Sequence, residues 1–406
     1  MKPNGNSQGK AGLVLSGGGA FGAYEVGVIQ ALYGGHSPAT SGVPLDAGVF
    51  AGTSVGNFNA AVLAMNKGGA AASANRLHDI WINDIADNGD GRGNGVYRLR
   101  GDVEHYLNLR IPGTPLEQLK RMLGDLSAFG DYATRSTTRL LSAQGQLLTH
   151  LIGMVDLSVF MNVEPFEKLV RNSIEPGVLR ESGKALAVTA TNWRTGEPWT
   201  FRFRTMTDDQ TWEAIRASAA IPGLFPPVRM DGEIFIDGGV VMNTPIRPAI
   251  DEGATEIHVV SLDPSVPDLG QTYIGTTWDI FNRVFTAMVA ANIDEDIESA
   301  RWVNEGIEIL DRVYRGEAFD SADGQRFVRA ALMISQKLRA DGMVPLKLAI
   351  HRYYPKKPLG GVLGLLDFKR PAIDTMIAQG YSDACAHDCR ENGCLIPQEK
   401  PTPDPG

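Results

Sequence analysis

A chain of 406 residues, 43% of them hydrophobic, is long enough for one large domain or two and apolar enough to bury a sizeable core, which excludes a wholly disordered protein. Its formal net charge of −9 argues against a nucleic-acid binder and gives no general attraction to an anionic bilayer, so any lipid contact has to be apolar or locally basic. The opening "MKPNGNSQGKAG" has no apolar signal-type stretch, and no uninterrupted apolar run reaches the ~18 residues of a spanning helix; the expectation is a cytoplasmic protein with room for peripheral membrane contact.

The first element in chain order is "AGLVLSGG", a short buried strand that ends in glycines. "AFGAYEVGVIQALYG" follows as a helix, with Tyr24, Val28 and Leu32 spaced along one face and Gly34 and Gly35 ending it. "AGVFAGTSVG" repeats the strand-to-turn pattern, and "NFNAAVLAMNKGG" reads as a helix of small residues. Strand–helix–strand–helix order with short turns implies a parallel sheet covered by helices. The Gly-, Asn- and Asp-rich "DIADNGDGRGNGVYRLR" breaks this pattern, and helical periodicities after it suggest a helical insertion over about 85–160. "EPFEKLVRNSI" is a further short helix. "KALAVTATNW", "WTFRFRT", "EIFIDGGVV" and "EIHVVSLDP" have strand character, and "TWEAIRASAAIPGLFPPV" is a helix stopped at Pro222. Residues 273–341 are mostly helical in pattern; "PLKLAIHRYYP" suggests a last strand and "RPAIDTMIAQGYSDACAH" a last helix. The expected organisation is one catalytic domain over 10–385 and a polar Cys- and Pro-containing tail over 386–406, disordered after Cys394.

Three motifs carry chemistry. Gly17, Gly19 and Gly22 spell G-x-G-x-x-G between a strand and a helix, a shape that holds an anion. A dinucleotide pyrophosphate would also need an acidic residue at the end of the second strand, and that strand ends in Thr53-Ser54 instead. Gly52-Thr53-Ser54-Val55-Gly56 is G-x-S-x-G between a strand and a helix, the context of a nucleophile elbow, whereas a plain helix-capping serine would not need glycines on both sides. Asp237 ends an apolar strand before two glycines; it is either a base whose pKa is raised by its apolar neighbours or an ordinary turn-opening Asp.

Together "SGGGAFGAYEVG", "GTSVG" and "DGG", in this order, resemble the patatin-like phospholipases, with support from "RASAAIPGLFPPV", "NTPIRPAIDEGATEIHVVSLDP" and "LLDFKRPAIDTMIAQGYSDA". The resemblance covers roughly 10–83 and 157–385. It implies a three-layer α/β/α fold with a mostly parallel central sheet and a Ser54–Asp237 dyad without histidine. It also implies an oxyanion hole formed by the backbone N–H groups of Gly17, Gly18 and Gly19, fatty-acyl ester lipids as substrates, and neither metal nor cofactor. One departure concerns Phe21, which stands where many members carry Arg or Lys; without that cation the headgroup preference is open, and an apolar or neutral ester becomes easier to accommodate.

Two alternatives remain open at this point. A Ser-His-Asp esterase would take its base from the histidines after Asp237, with His351 a better candidate than His258 or His387. A non-catalytic lipid-binding module would leave Ser54, Asp237 and the three glycines without a purpose. The insertion segment "TRLLSAQGQLLTHLIGMVDLSVF" either packs on the core or forms a lid or acyl-chain wall, and "KKPLGGVLGLLDF" is a second candidate for membrane contact. All three cysteines lie in "CAHDCRENGC", so the core has no disulfide framework. Cys385, His387, Cys389 and Cys394 do not follow a familiar zinc-finger spacing and read as ordinary tail thiols.

Overall fold

The computed structural model describes residues 10–90, 93–99, 161–262, 347–360 and 362–397, together with helical stretches within 297–309. Strands β1 (Lys10–Leu15), β2 (Val49–Thr53), β5 (Ala185–Asn192), β9 (Ala254–Val260) and β10 (Ala349–Tyr353) form the parallel part of one sheet, in the order β10-β9-β1-β2-β5. β6 (Pro198–Arg202), β7 (Val228–Met230) and β8 (Glu233–Asp237) extend it with antiparallel pairings.

Alternation along the parallel strands sends side chains into two cores. Leu13, Leu15, Phe50, Leu186 and Val188 face one core, which is filled from helices α1 (Gly22–Tyr33), α2 (Val55–Ala64), α3 (Ala70–Ile80), α4 (Glu164–Ser173), α5 (Pro176–Glu181), α6 (Asp208–Ser218) and α8 (Arg370–Cys385). Val14, Val49, Ala51, Ala185 and Ala187 face the other, with Ile246 and Ala249 of α7 (Ile246–Asp251) and with Ile297 and Ala300. The result is the expected three-layer α/β/α arrangement. Strands buried on both faces explain why β1 and β2 read as continuous apolar runs.

Several elements depart from the sequence expectation. α1 is buried on nearly its whole circumference, Gln30 excepted, because α8 covers the side that would otherwise meet solvent; a single apolar face does not describe it. α6 stops at Ser218, before Pro222, and the Ser218 hydroxyl donates to the β5 carbonyl of Thr189 at 2.6 Å. α3, β7 and α7 were not anticipated. Most of the expected insertion, 100–160, and most of 273–341 lie outside the described residues. The two ends of the insertion are described: β3 (Arg98–Leu99) and β4 (Met161–Asn162) pair antiparallel, Arg98 with Asn162 and Leu99 with Met161. The segment after α8 is no loose tail up to residue 397, since Leu395 exchanges backbone hydrogen bonds with Ile350 of β10 at 2.8 and 2.9 Å.

Candidate active site

The sheet itself brings Ser54 and Asp237 together. β2 pairs with β5 as far as Thr53↔Thr189, and β6 occupies the opposite edge of β5. β8 therefore takes up the edge that β2 vacates, running the other way, and its last residue Asp237 pairs with Ala190, one position beyond Thr189. The strand ends of β2 and β8 meet head to head, and the residues at those ends are Ser54 and Asp237. Their separation of more than 180 positions in sequence carries no hint of this meeting.

Ser54 sits in a tight turn with φ 54° and ψ −126°, a conformation that costs a non-glycine residue ~1–3 kcal/mol and persists only where its surroundings enforce it. The enforcement is visible on both sides. A Cβ on Gly52 would stand 2.5 Å from the Asn57 Cα, and one on Gly56 2.4 Å from the Leu15 carbonyl oxygen, so only glycines allow α2 to turn back against β1 and β2. The Ser54 N–H donates to Ser218 Oγ at 2.9 Å, which fixes the turn to the end of α6 and, through Ser218, to β5. Ser218 was not singled out from the sequence; a serine at the end of a helix has no local mark of such a role. Ser54 is 5% exposed and Asp237 2% exposed.

Asp237 is fixed at both ends. Its N–H donates to the Ala220 carbonyl at 2.9 Å, and its Oδ1 accepts the Gly239 N–H at 2.7 Å. Its Oδ2 is buried without a partner at full hydrogen-bond geometry. Burial pushes the Asp237 pKa up to about 7, while the Gly239 N–H and the facing Ser54 hydroxyl pull it back down. The Ser54 hydroxyl therefore lies close enough to act on the Asp237 carboxyl, and Oδ2 has no closed hydrogen bond.

The three glycines of the first loop differ from one another. Gly17 is clamped by Asn243: its N–H donates to Asn243 Oδ1 at 3.0 Å and its carbonyl accepts from Nδ2 at 3.2 Å. Its N–H is thus already engaged, which departs from the expectation of three equivalent oxyanion donors. The N–H groups of Gly18 and Gly19 donate to nothing among the described residues. Gly19 has φ +56°, and a Cβ there would lie 2.3 Å from the Leu365 carbonyl oxygen, so no larger residue fits.

From Ser54 and Gly19 a pocket with apolar walls runs between Phe58, Trp81, Phe166, Phe225, Leu366 and Phe368. Trp81 stacks on Phe368 with ring centres 6.5 Å apart and donates from Nε1 to Asn59 Oδ1 at 2.8 Å. Asn59 in turn donates to the buried Glu25, whose carboxyl is held well above the ordinary carboxylate range by burial, against the hydrogen bonds of Asn59 and of the Ser16 backbone. Phe21 has a packing role here: its ring lies against Gly364, where a Cβ would come within 2.8 Å of it, and so it supports the 3-10 turn Val362–Leu366. Leu365 and Leu366 of that turn line the pocket, and the half-buried Leu365 packs against the main core.

No histidine among the described residues bonds Ser54 or Asp237. His258 and His351 stack on each other with ring centres 4.8 Å apart, in strands β9 and β10 and therefore two and three strands from β2. His387, Cys389 and Cys394 gather around His351, whereas Cys385 stays at the end of α8, outside that cluster. No helix among the described residues is long and apolar enough to cross a membrane.

Comparison with known proteins identifies the family. Residues 13–250 match the family described as Patatin-like phospholipase, a span that contains Ser54, Asp237 and the glycine loop. The chain is 26% identical over 276 residues to lysophospholipase NTE1 of Yarrowia lipolytica, covering 67% of this chain and 14% of that protein. It is 27% identical over 278 residues to lysophospholipase NTE1 of Saccharomyces cerevisiae, covering 67% of this chain and 12% of that one. A shorter stretch of 76 residues is 40% identical to lysophospholipase NTE1 of Cryptococcus neoformans, covering 18% of this chain and 5% of that protein. This chain thus spans only a small part of the length of these relatives. Among solved structures, VipD from Legionella pneumophila aligns over 92% of this chain and 67% of its own at 18% identity, with a TM-score of 0.35. The family match covers more than half of the sequence, and the chain belongs to the patatin-like phospholipase family.

Proposed function

We propose that this protein is a lipid acyl hydrolase that cleaves fatty-acyl esters through a Ser54–Asp237 dyad and an acyl-enzyme. The observation that carries the reading is the buried Asp237 Oδ2, without a closed hydrogen bond and with a pKa raised to about 7, facing a serine held in a strained turn. A carboxyl with that pKa is ionised in a useful fraction near neutral pH and basic enough to accept a proton.

In this mechanism Asp237 Oδ2 takes the proton from Ser54 Oγ as Oγ adds to the acyl carbon. The oxyanion that forms is met by the N–H groups of Gly18 and Gly19, while Gly17, clamped by Asn243, holds the loop in place. The Ser54 N–H, bonded to Ser218, is not available to the oxyanion. When the tetrahedral intermediate collapses, the leaving alcohol or lysolipid takes the proton from Asp237. Water then gives a proton to Asp237 and attacks the acyl carbon, and the fatty acid leaves as Ser54 is reprotonated. The apolar pocket between Phe58, Trp81 and Phe368 is the place for the acyl chain. The family membership and the lysophospholipase relatives support acyl-ester lipids as the substrate class.

The test is fatty-acid release from a chromogenic long-chain ester by the wild type, Ser54→Ala and Asp237→Asn, with fluorophosphonate labelling of each. Both variants should lose at least ~1,000-fold in kcat. Labelling should be stoichiometric in the wild type and absent in Ser54→Ala. Wild-type rates in Ser54→Ala would overturn the assignment.

A further inference from the structure

We propose that the chain carries a second, structural site far from the dyad: a tetrahedral zinc centre made by His351, His387, Cys389 and Cys394 that fastens the segment after α8 to the outer strand of the sheet. One donor comes from β10 and three from the segment that follows α8, and the four donor atoms all lie within 4.8 Å of one another. Cys389 Sγ is 3.5 Å from His351 Nδ1 and 3.4 Å from His387 Nε2, and Cys394 Sγ is 3.5 Å from His387 Nε2. In a tetrahedral site with Zn–S of ~2.3 Å and Zn–N of ~2.0 Å, a sulfur and a nitrogen donor stand about 3.5 Å apart. The three sulfur–nitrogen separations match the sulfur–nitrogen edges of that tetrahedron. Two sulfurs and two imidazoles in tetrahedral disposition select zinc among common divalent ions.

The surroundings suit ligands rather than four unrelated side chains. His351 and His387 are buried. The far side of the His351 ring faces a carboxylate, with Glu256 Oε1 4.0 Å from Nε2. Cys394 Sγ accepts the backbone N–H of Arg352 at 3.3 Å, which fixes the sulfur against β10. The chain between the cysteines is a folded turn, closed by the Cys394 N–H donating to the Cys389 carbonyl at 2.9 Å and by Asp388 Oδ1 accepting the N–H groups of Arg390 and Glu391 at 2.7 and 3.1 Å. On binding, the two thiols release their protons to solvent and no other bond changes. The centre would lock in place the Leu395–Ile350 pairing that covers the open edge of β10.

Metal analysis of the full chain, purified under reducing conditions and dialysed, should find about one zinc ion per protein. Cys385→Ser should keep it, and the double variant Cys389→Ser/Cys394→Ser should lose it while hydrolysing a soluble ester at the wild-type rate. A readout independent of variants is cobalt(II) added to metal-free wild type: one equivalent should give the intense visible absorption of tetrahedral thiolate-bound cobalt, abolished by zinc. A wild type that holds no zinc and gives no such absorption would overturn the proposal. So would zinc retained by the double variant, or a Cys389–Cys394 disulfide that persists in the reduced preparation.

Discussion

Asp237 places opposite demands on stability and on catalysis, and both are measurable. In the proposed mechanism Asp237 is the base and must be ionised, so kcat/KM for a soluble ester should rise with pH through about 7 and level off above it. A flat profile between pH 5 and 9 would count against Asp237 as the base. For the fold the sign is reversed. The folded pKa of about 7 lies above the ordinary value of 3.8, so the folded state holds a proton that the unfolded state has released. The stability tied to this carboxyl is complete below the ordinary value and is lost as pH rises through about 7. Asp237→Asn retains a carbonyl to accept the Gly239 N–H and removes the buried charge. At pH 8 the inactive variant should therefore be more stable than the wild type by roughly 1–3 kcal/mol, at ~1.4 kcal/mol per pKa unit less the burden of a new amide donor. The gain should vanish toward pH 4. Chemical denaturation of both proteins at the two pH values checks this, and equal stabilities at pH 8 would mean the carboxyl is not desolvated as its burial implies. Phe21 belongs to the same scale. Phe21→Arg would put a charge under the turn Val362–Leu366 and should lower rates on long-chain esters more than on short ones, measured as kcat/KM across a chain-length series.

The glycine loop and the loop after β8 form one unit held by Asn243. Asn243→Ala leaves the buried Gly17 N–H and carbonyl without their side-chain partner, at ~1–3 kcal/mol, and should lower kcat by about 5- to 150-fold through a misplaced loop, with little change in KM. Asn243→Asp keeps an acceptor for the Gly17 N–H but adds a second carboxylate. The point where a Gly239 Cβ would sit is 2.9 Å from Asn243 Oδ1 and 3.0 Å from Asp237 Oδ1, so the two side chains are close neighbours. Repulsion should raise the Asp237 pKa further and move the rise of the pH–rate profile upward, a shift that a merely structural role for Asn243 would not produce. What was legible in sequence at this scale was local. The strand ending in glycines, the flanked serine and the Asp-Gly-Gly turn each carry their reason within a few residues, since close backbone approach demands glycine at the position itself. Ser218, the engagement of the Gly17 N–H and the His351 cluster were not legible, because each depends on a partner brought in from a distant element. α1 misled for a related reason: a helix covered from all sides has no polar face, and the cover, α8, comes some 340 residues later in the chain.

At the scale of the molecule, one mostly parallel sheet brings Ser54 and Asp237 together where β2 ends and the antiparallel β8 begins to pair with β5, and the long insertion leaves and rejoins the described chain at a single point beside the pocket. That point is the pairing of β3 with β4. Its approach is fixed by the Tyr97 hydroxyl donating to the Leu366 carbonyl at 2.9 Å, and Val96 and Leu366 both line the pocket. Because Leu99 and Met161 are paired neighbours, a two-residue Asn-Gly turn can join them and replace the residues between without stretching the chain. If the insertion serves as a lid or acyl-chain wall, the shortened protein should fold and keep its rate on a soluble short-chain ester. Its activity on micellar long-chain lipid should then fall by at least ~10-fold, because the chain loses the surface that shields it from water and guides it in from an aggregate. Thermal unfolding and the two assays, run side by side, separate the outcomes: equal loss on both substrates together with a lowered Tm would assign the insertion to packing the core instead.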